Sequence, residues 1–73
     1  MHSVRGTVIA VQEGRFRLVT DSGRVMPFVL SHKASTEPQD LPPLAVRTAR
    51  VRVSYSDSQH LIADVAHRVE IEE

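Results

Sequence analysis

The chain has 73 residues, nine Lys and Arg against nine Asp and Glu, 41% hydrophobic residues and no cysteine. That length makes residues 1–73 one domain burying roughly 60% of its extended surface, and it excludes a second domain or a deep interdomain cleft. Without cysteine there are no disulfides, thiolate metal ligands or cysteine nucleophiles, and no apolar run approaches the ~20 residues of a membrane span.

Five stretches have strand character. Val4 to Val11 reads V-R-G-T-V-I-A-V, rich in β-branched residues with one glycine. Arg15 to Thr20 follows after the short loop Gln12-Glu13-Gly14, with Phe16 and Leu18 alternating against Arg15 and Arg17. Asp21-Ser22-Gly23-Arg24 is a tight turn in which Gly23 supplies the positive φ. Val25 to Leu30 comes next and places Met26, Phe28 and Leu30 on one face. Pro27 within it removes a ladder donor, so it belongs at an edge or a bulge.

Ser31 to Thr48 is the one long connection. Pro38, Pro42 and Pro43 exclude a long helix there, leaving at most a single turn around Glu37 to Leu41. Leu41, Leu44 and Val46 are expected to anchor the connection by plugging one end of the fold. Arg50 to Tyr55 then alternates strictly, and Leu61 to Ile71 closes the chain with Leu61, Ala63, Val65, Val69 and Ile71 on one face, interrupted by His67. Period-two alternation means one buried face per strand, as in an antiparallel sheet or barrel. The ordered core should run over about 3–70, ending in a frayed acidic tail from Glu70 to Glu73.

Strand, strand, strand, connection, strand, strand is the order of a five-stranded Greek-key barrel of OB type, with an SH3-like small barrel as the alternative. The position of the long connection discriminates: in OB topology it lies between strands three and four and closes the barrel's base. The local pattern resembles the OB branch containing the S1 domain and bacterial translation initiation factor one. Gly6-Thr7-Val8, Phe16-Arg17-Leu18, Asp21-Ser22-Gly23-Arg24-Val25, Leu30-Ser31-His32-Lys33 and Ala49-Arg50-Val51-Arg52-Val53 carry the resemblance, which spans roughly residues 4–69. The chain also looks like small bacterial proteins of this fold that carry no assigned activity. The resemblance implies the fold and points toward RNA. It departs from that branch in having prolines where a helix is common, and phenylalanines on the inward face rather than exposed aromatics.

Charge is distributed unevenly. Residues 1–53 carry eight of the nine basic groups and four acids, a net +4; residues 54–73 carry Arg68 against five acids, a net −4. This asymmetry reads either as an anion-binding face beside a self-shielding tail or as ordinary solubilising charge. Arg15, Arg17, Arg24 and Lys33 should border the strand-two and strand-three face that OB-folds use for ligands, with Arg50 and Arg52 outward on strand four and Tyr55 as a stacking platform. These seven are the candidate contacts for single-stranded RNA or DNA, bound without sequence preference. The acidic tail, folded over the arginines, would compete with such a ligand.

A rival surface is aliphatic. Ile9, Val11, Val19, Val25 and Val29 alternate with the core positions and should point outward, a patch fitting a protein partner or self-association. His2, His32, His60 and His67 lack the paired spacing of a zinc site, so no metal and no cofactor is expected, although His32 and His60 both fall at strand ends where they could converge. His67 reads as a semi-buried, hydrogen-bonded histidine. No nucleophile elbow, phosphate-cradling glycine loop or nucleophile–base pair is present at recognisable spacing, so the expectation is a binding module and not an enzyme. With no apolar segment after the first methionine, the cytoplasm is the default compartment.

Overall fold

The computed structural model describes residues 1–58 and 62–72. Its strands are β1 (His2–Gln12), β2 (Arg15–Thr20), β3 (Val25–Leu30), β4 (Arg50–Ser56) and β5 (Asp64–Ile71). They close into a barrel in the order β1-β2-β3-β5-β4, with β1 hydrogen-bonded to β4 and β3 parallel to β5. This is the Greek-key order of an OB-type barrel. The long connection joins β3 to β4 as OB topology requires, which sets the SH3-like alternative aside.

The inward faces are filled by Val8, Phe16, Leu18, Phe28, Leu30, Val51, Val53 and Ala66, all buried. Phe16 and Phe28 stack with ring centroids 5.2 Å apart, and Phe28 meets Tyr55 edge-on at 5.3 Å. Such pairs add about 0.5–1.5 kcal/mol beyond the area they bury. They hold β2, β3 and β4 together through side chains where backbone pairing alone would leave the cylinder hollow.

Two bulges change the faces read from simple alternation. In β1, Val8 lies opposite Leu18 but Ala10 lies opposite Arg17, so Ile9 is an extra residue. An extra residue shifts every later side chain to the other face. Val11 therefore packs against the core instead of facing outward. In β5, Arg68 lies opposite Ser54 but Ala66 lies opposite Tyr55, so His67 is the extra residue. Ala66 is consequently the buried position, while Val65 is only half-buried and Ala63 precedes the strand. Beyond the bulge Val69 packs on the core as expected, but Ile71 is exposed, so the expected apolar face holds only at Val69. Leu61 lies outside the described residues.

Pro27 is placed as edge logic demands. Leu30 N–H donates to the Gly14 carbonyl and Thr20 N–H to that of Arg24, both at 2.8 Å. With Arg17 opposite Pro27, the antiparallel alternation turns the Pro27 nitrogen away from β2. On that other side β5 pairs only with Phe28, Val29 and Leu30, so the missing donor has no partner to disappoint.

The connection holds more helix than the prolines suggested. A single 3-10 turn covers Pro38–Asp40, and a five-residue helix, α1 (Pro42–Val46), follows it. Pro42 and Pro43 occupy its first positions, where no backbone donor is needed. Leu41 and Leu44 are buried as plugs, but Val46 is 86% exposed and anchors nothing. The helix ends in a Schellman arrangement: Thr48 N–H reaches the Ala45 carbonyl at 3.1 Å and Ala49 N–H that of Leu44 at 2.9 Å. Thr48 takes the left-handed φ of 45° that this cap requires.

The tail is not frayed through residue 72. β5 runs to Ile71, and Glu72 N–H donates to the Arg50 carbonyl at 2.8 Å. Among the described residues no helix is long and apolar enough to cross a membrane.

Two stability measurements follow. A Cβ at Gly6 would stand 2.2 Å from the Val19 carbonyl oxygen, whereas one at Gly14 meets nothing within 4 Å. Gly6→Ala should lower unfolding free energy in urea by about 1–3 kcal/mol, with Gly14→Ala within about 0.5 kcal/mol of the parent. Thr48→Gly should raise stability by about 0.5–1 kcal/mol, because a β-branched residue is strained at that φ and glycine is not. A lower unfolding midpoint for Thr48→Gly would refute the assignment of strain.

Candidate functional site

Outward positions of β2 are Arg15 and Arg17, two residues apart and hence about 7 Å apart on one face. Both are exposed. They edge a groove of about 470 Å³ that runs from the end of β1 across β2 and β3 to Ile62 and Ala63. Val11, Pro27 and Val29 give it an apolar lining, with Phe16 and Phe28 beneath. Arg15 also borders a neighbouring hollow lined by His32, Glu13 and Glu37, among others. The geometry follows from the bulge at Ile9, which turns the last residues of β1 toward the groove, and from Pro27, which leaves the outer half of β3 uncovered.

The seven candidate contacts do not share one surface. Arg15 and Arg17 are brought together on the groove. Lys33 is exposed in the turn after β3, its N–H donating to Ser31 Oγ at 3.1 Å, on the Arg15 side. Arg24 sits at the β2–β3 turn, where its N–H donates to Thr20 Oγ1 at 3.1 Å, at the opposite end of the hairpin from Arg15. Arg50 and Arg52 belong to a different face, beside Arg5 on the paired strand. The half-buried Tyr55 ring packs in the aromatic cluster, between Phe28 and the His2 ring 5.4 Å away.

Charge pairing separates the two arginine groups as sharply as position does. Arg50 Nη2 donates to Asp21 Oδ2 at 3.1 Å and lies 2.9 Å from Oδ1, a two-oxygen grip. Arg5 Nε and Arg52 Nε lie 2.9 Å and 3.4 Å from Glu72 Oε1. Arg68 pairs with Glu70 at 3.5 Å. Among the described residues no carboxylate pairs with Arg15, Arg17, Arg24 or Lys33. Exposed pairs contribute about 0–1 kcal/mol each to stability, but they decide which guanidiniums are free for an external anion.

The aliphatic patch is smaller than alternation predicts. Ile9 and Val25 are exposed, Val19 and Val29 are half-buried, and Val11 has turned inward. Val29 instead belongs to the arginine groove, as does the fully exposed Ile62. Pro27, Ile62 and Ala63 were not marked as site residues by sequence; the only signal was that OB-folds flank their ligand face with the loops after strands one and four.

Among the described residues the histidines do not gather. His67 Nε2 is 2.8 Å from Ser56 Oγ, consistent with a half-buried, hydrogen-bonded ring, and His2 Nε2 is 3.2 Å from Asp57 Oδ2. His60, expected at a strand end near His32, lies outside the described residues. Among the described residues no three of His, Asp and Glu cluster as a metal site would require.

No protein-family model, curated protein or solved structure matches this chain.

Because Arg15 and Arg17 are exposed and pair with no carboxylate among the described residues, replacing them removes charge without removing packing. The Arg15→Ala and Arg17→Ala variants should each unfold within about 0.5 kcal/mol of the parent, against about 3–5 kcal/mol lost by Phe28→Ala. A large loss for either arginine variant in urea denaturation would mean that the side chain is structural.

Proposed function

We propose that the protein is a binding module for single-stranded nucleic acid, taken without sequence preference along the β2–β3 groove. The observation that carries this reading is the pair of guanidiniums, Arg15 and Arg17, that no carboxylate among the described residues pairs, side by side on the rim of an apolar-lined groove. Single strands are held by cations along the backbone and by flat or apolar surfaces against the bases. Arg15 and Arg17 supply the first. Their guanidinium planes, with Pro27, Val29 and Ile62, supply the second in place of exposed aromatics. Lys33 extends the cationic edge beyond Arg15. The resemblance to the S1 and initiation-factor-one branch favours RNA over DNA as the physiological strand.

A second reading rests on Ile62. A fully exposed isoleucine beside an apolar groove also fits a module that docks a protein segment, or a second copy of the chain, with Ile9 and Val25 as further exposed aliphatics. Light scattering across a concentration series separates the two: a dimer that dissociates when Ile62 is replaced by Ser favours self-association.

Titration of fluorescent oligo-U and oligo-dT at two salt concentrations tests the first reading. Affinity should fall with salt at a logarithmic slope of about −0.7 per phosphate neutralised. The double variant Arg15→Ala, Arg17→Ala should bind at least about tenfold more weakly with a slope shallower by about 1–1.5. Absence of binding by the parent protein at low ionic strength ends the proposal.

A further inference from the structure

At the opposite end of the β1–β2 ladder from the groove, Arg5 of β1 lies directly opposite Arg52 of β4. Two like charges in cross-strand register repel. The register is held with a carboxylate between them: Glu72, the residue after β5, carries its Oε1 to within 2.9 Å of Arg5 Nε and 3.4 Å of Arg52 Nε. That oxygen is buried, yet neither guanidinium N–H is aligned on it as a hydrogen bond. A buried oxygen without an aligned donor is an imperfect occupant, since charge-assisted bonds draw their strength from alignment. Arg50, by contrast, holds Asp21 through an aligned bond.

The seat opens into a hollow bordered by Ser3, Thr20, Ser22 and Asp21. Asp21 is the one carboxylate facing it from β2 and the turn, and Arg50 neutralises it. What remains is two guanidinium forks converging on one anion position, with hydroxyls beside it. A carboxylate on a single tether presents one oxygen to both forks. A phosphate presents several, in a geometry that two forks can meet at once.

We propose that Arg5 and Arg52 form a phosphate seat held shut in cis by Glu72, which a backbone phosphate of a bound strand displaces. The identity of the ligand rests on the proposed function, whereas the seat itself does not. Along β2 the separation from Arg17 to Asp21, beside Arg5, is about 13 Å. A strand leaving the groove along β2 therefore reaches the seat within a few nucleotides. Glu72 then acts as a latch: binding at the groove proceeds first, and the second contact forms only at the expense of the internal ion pair. A latch closed about 90% of the time raises the apparent dissociation constant for this contact about tenfold.

The test uses the full chain and inorganic phosphate, followed through the Nε–H signals of the arginines by nuclear magnetic resonance. In Glu72→Gln, which keeps the side chain's size and removes its charge, phosphate should shift the Arg5 and Arg52 signals saturably at about tenfold lower concentration than in the parent. Adding Arg5→Gln to that variant should abolish the gain. Identical titrations of parent and Glu72→Gln, or equal movement of all arginine signals, overturns the seat. Oligo-U titrated into the same proteins separates the two proposals. Tighter binding by Glu72→Gln supports the latch. A seat that opens to phosphate while no oligonucleotide binds either protein leaves the seat standing and overturns the nucleic-acid ligand.

Discussion

At Gly6 the first strand is paired on both of its edges, to Thr20 of β2 and to Val51 of β4. A side chain there would collide with the backbone of Val19, so β1 crosses this close to β2 only because this position lacks one. The rest of the barrel depends on that crossing. It brings β4 against the first hairpin, which sets Val51 and Val53 over Val8 and Leu18 and closes the cylinder around the stacked phenylalanines. Without closure the β1 and β4 edges would stand open, and Arg5 and Arg52 would never meet.

Closure also sorts the charges. Outward positions on neighbouring strands become neighbours in space according to register, not according to distance along the chain. Register places Arg5 opposite Arg52 and brings Asp21 beside Arg50, so that part of the basic surface is neutralised by the protein's own acids. It leaves Arg15 and Arg17 on the opposite run of β2, where no acid reaches them among the described residues. A near-neutral chain thus presents one face of internally satisfied charge and one rim of free cations. That asymmetry puts the free cations on the rim of the apolar-lined groove, and it sets a difference in kind between the two arginine groups.

The sequence reading and the structure agree most closely where the physics is local. Arg15–Thr20 and Val25–Leu30 begin and end where alternation places them, and Gly23 takes a φ of 88° in the turn between. They part where one inserted residue shifts a face. Ile9 looks like an ordinary member of its strand, and His67, although it interrupts an apolar face, carries nothing in its side chain that announces a bulge. Yet they decide that Val11 turns inward and that Ala66, not Val65, is buried. The helix at Pro42–Val46 was obscured for a related reason: prolines that forbid a helix interior suit its first turn, and the choice depended on whether Leu41 and Leu44 had a core to cap.

Alone, then, the order of residues determined the strand count, the tight turns, the Greek-key sequence of elements and the inward set of Phe16, Leu18, Phe28 and Leu30. These follow from period-two burial and from glycine and proline stereochemistry, which act within a few residues. Tertiary structure decided which arginines share a surface, which acids silence them, and that Tyr55 packs against the core aromatics. Those outcomes depend on barrel closure and on two bulges, and both are settled by pairing between segments tens of residues apart, where no local preference speaks.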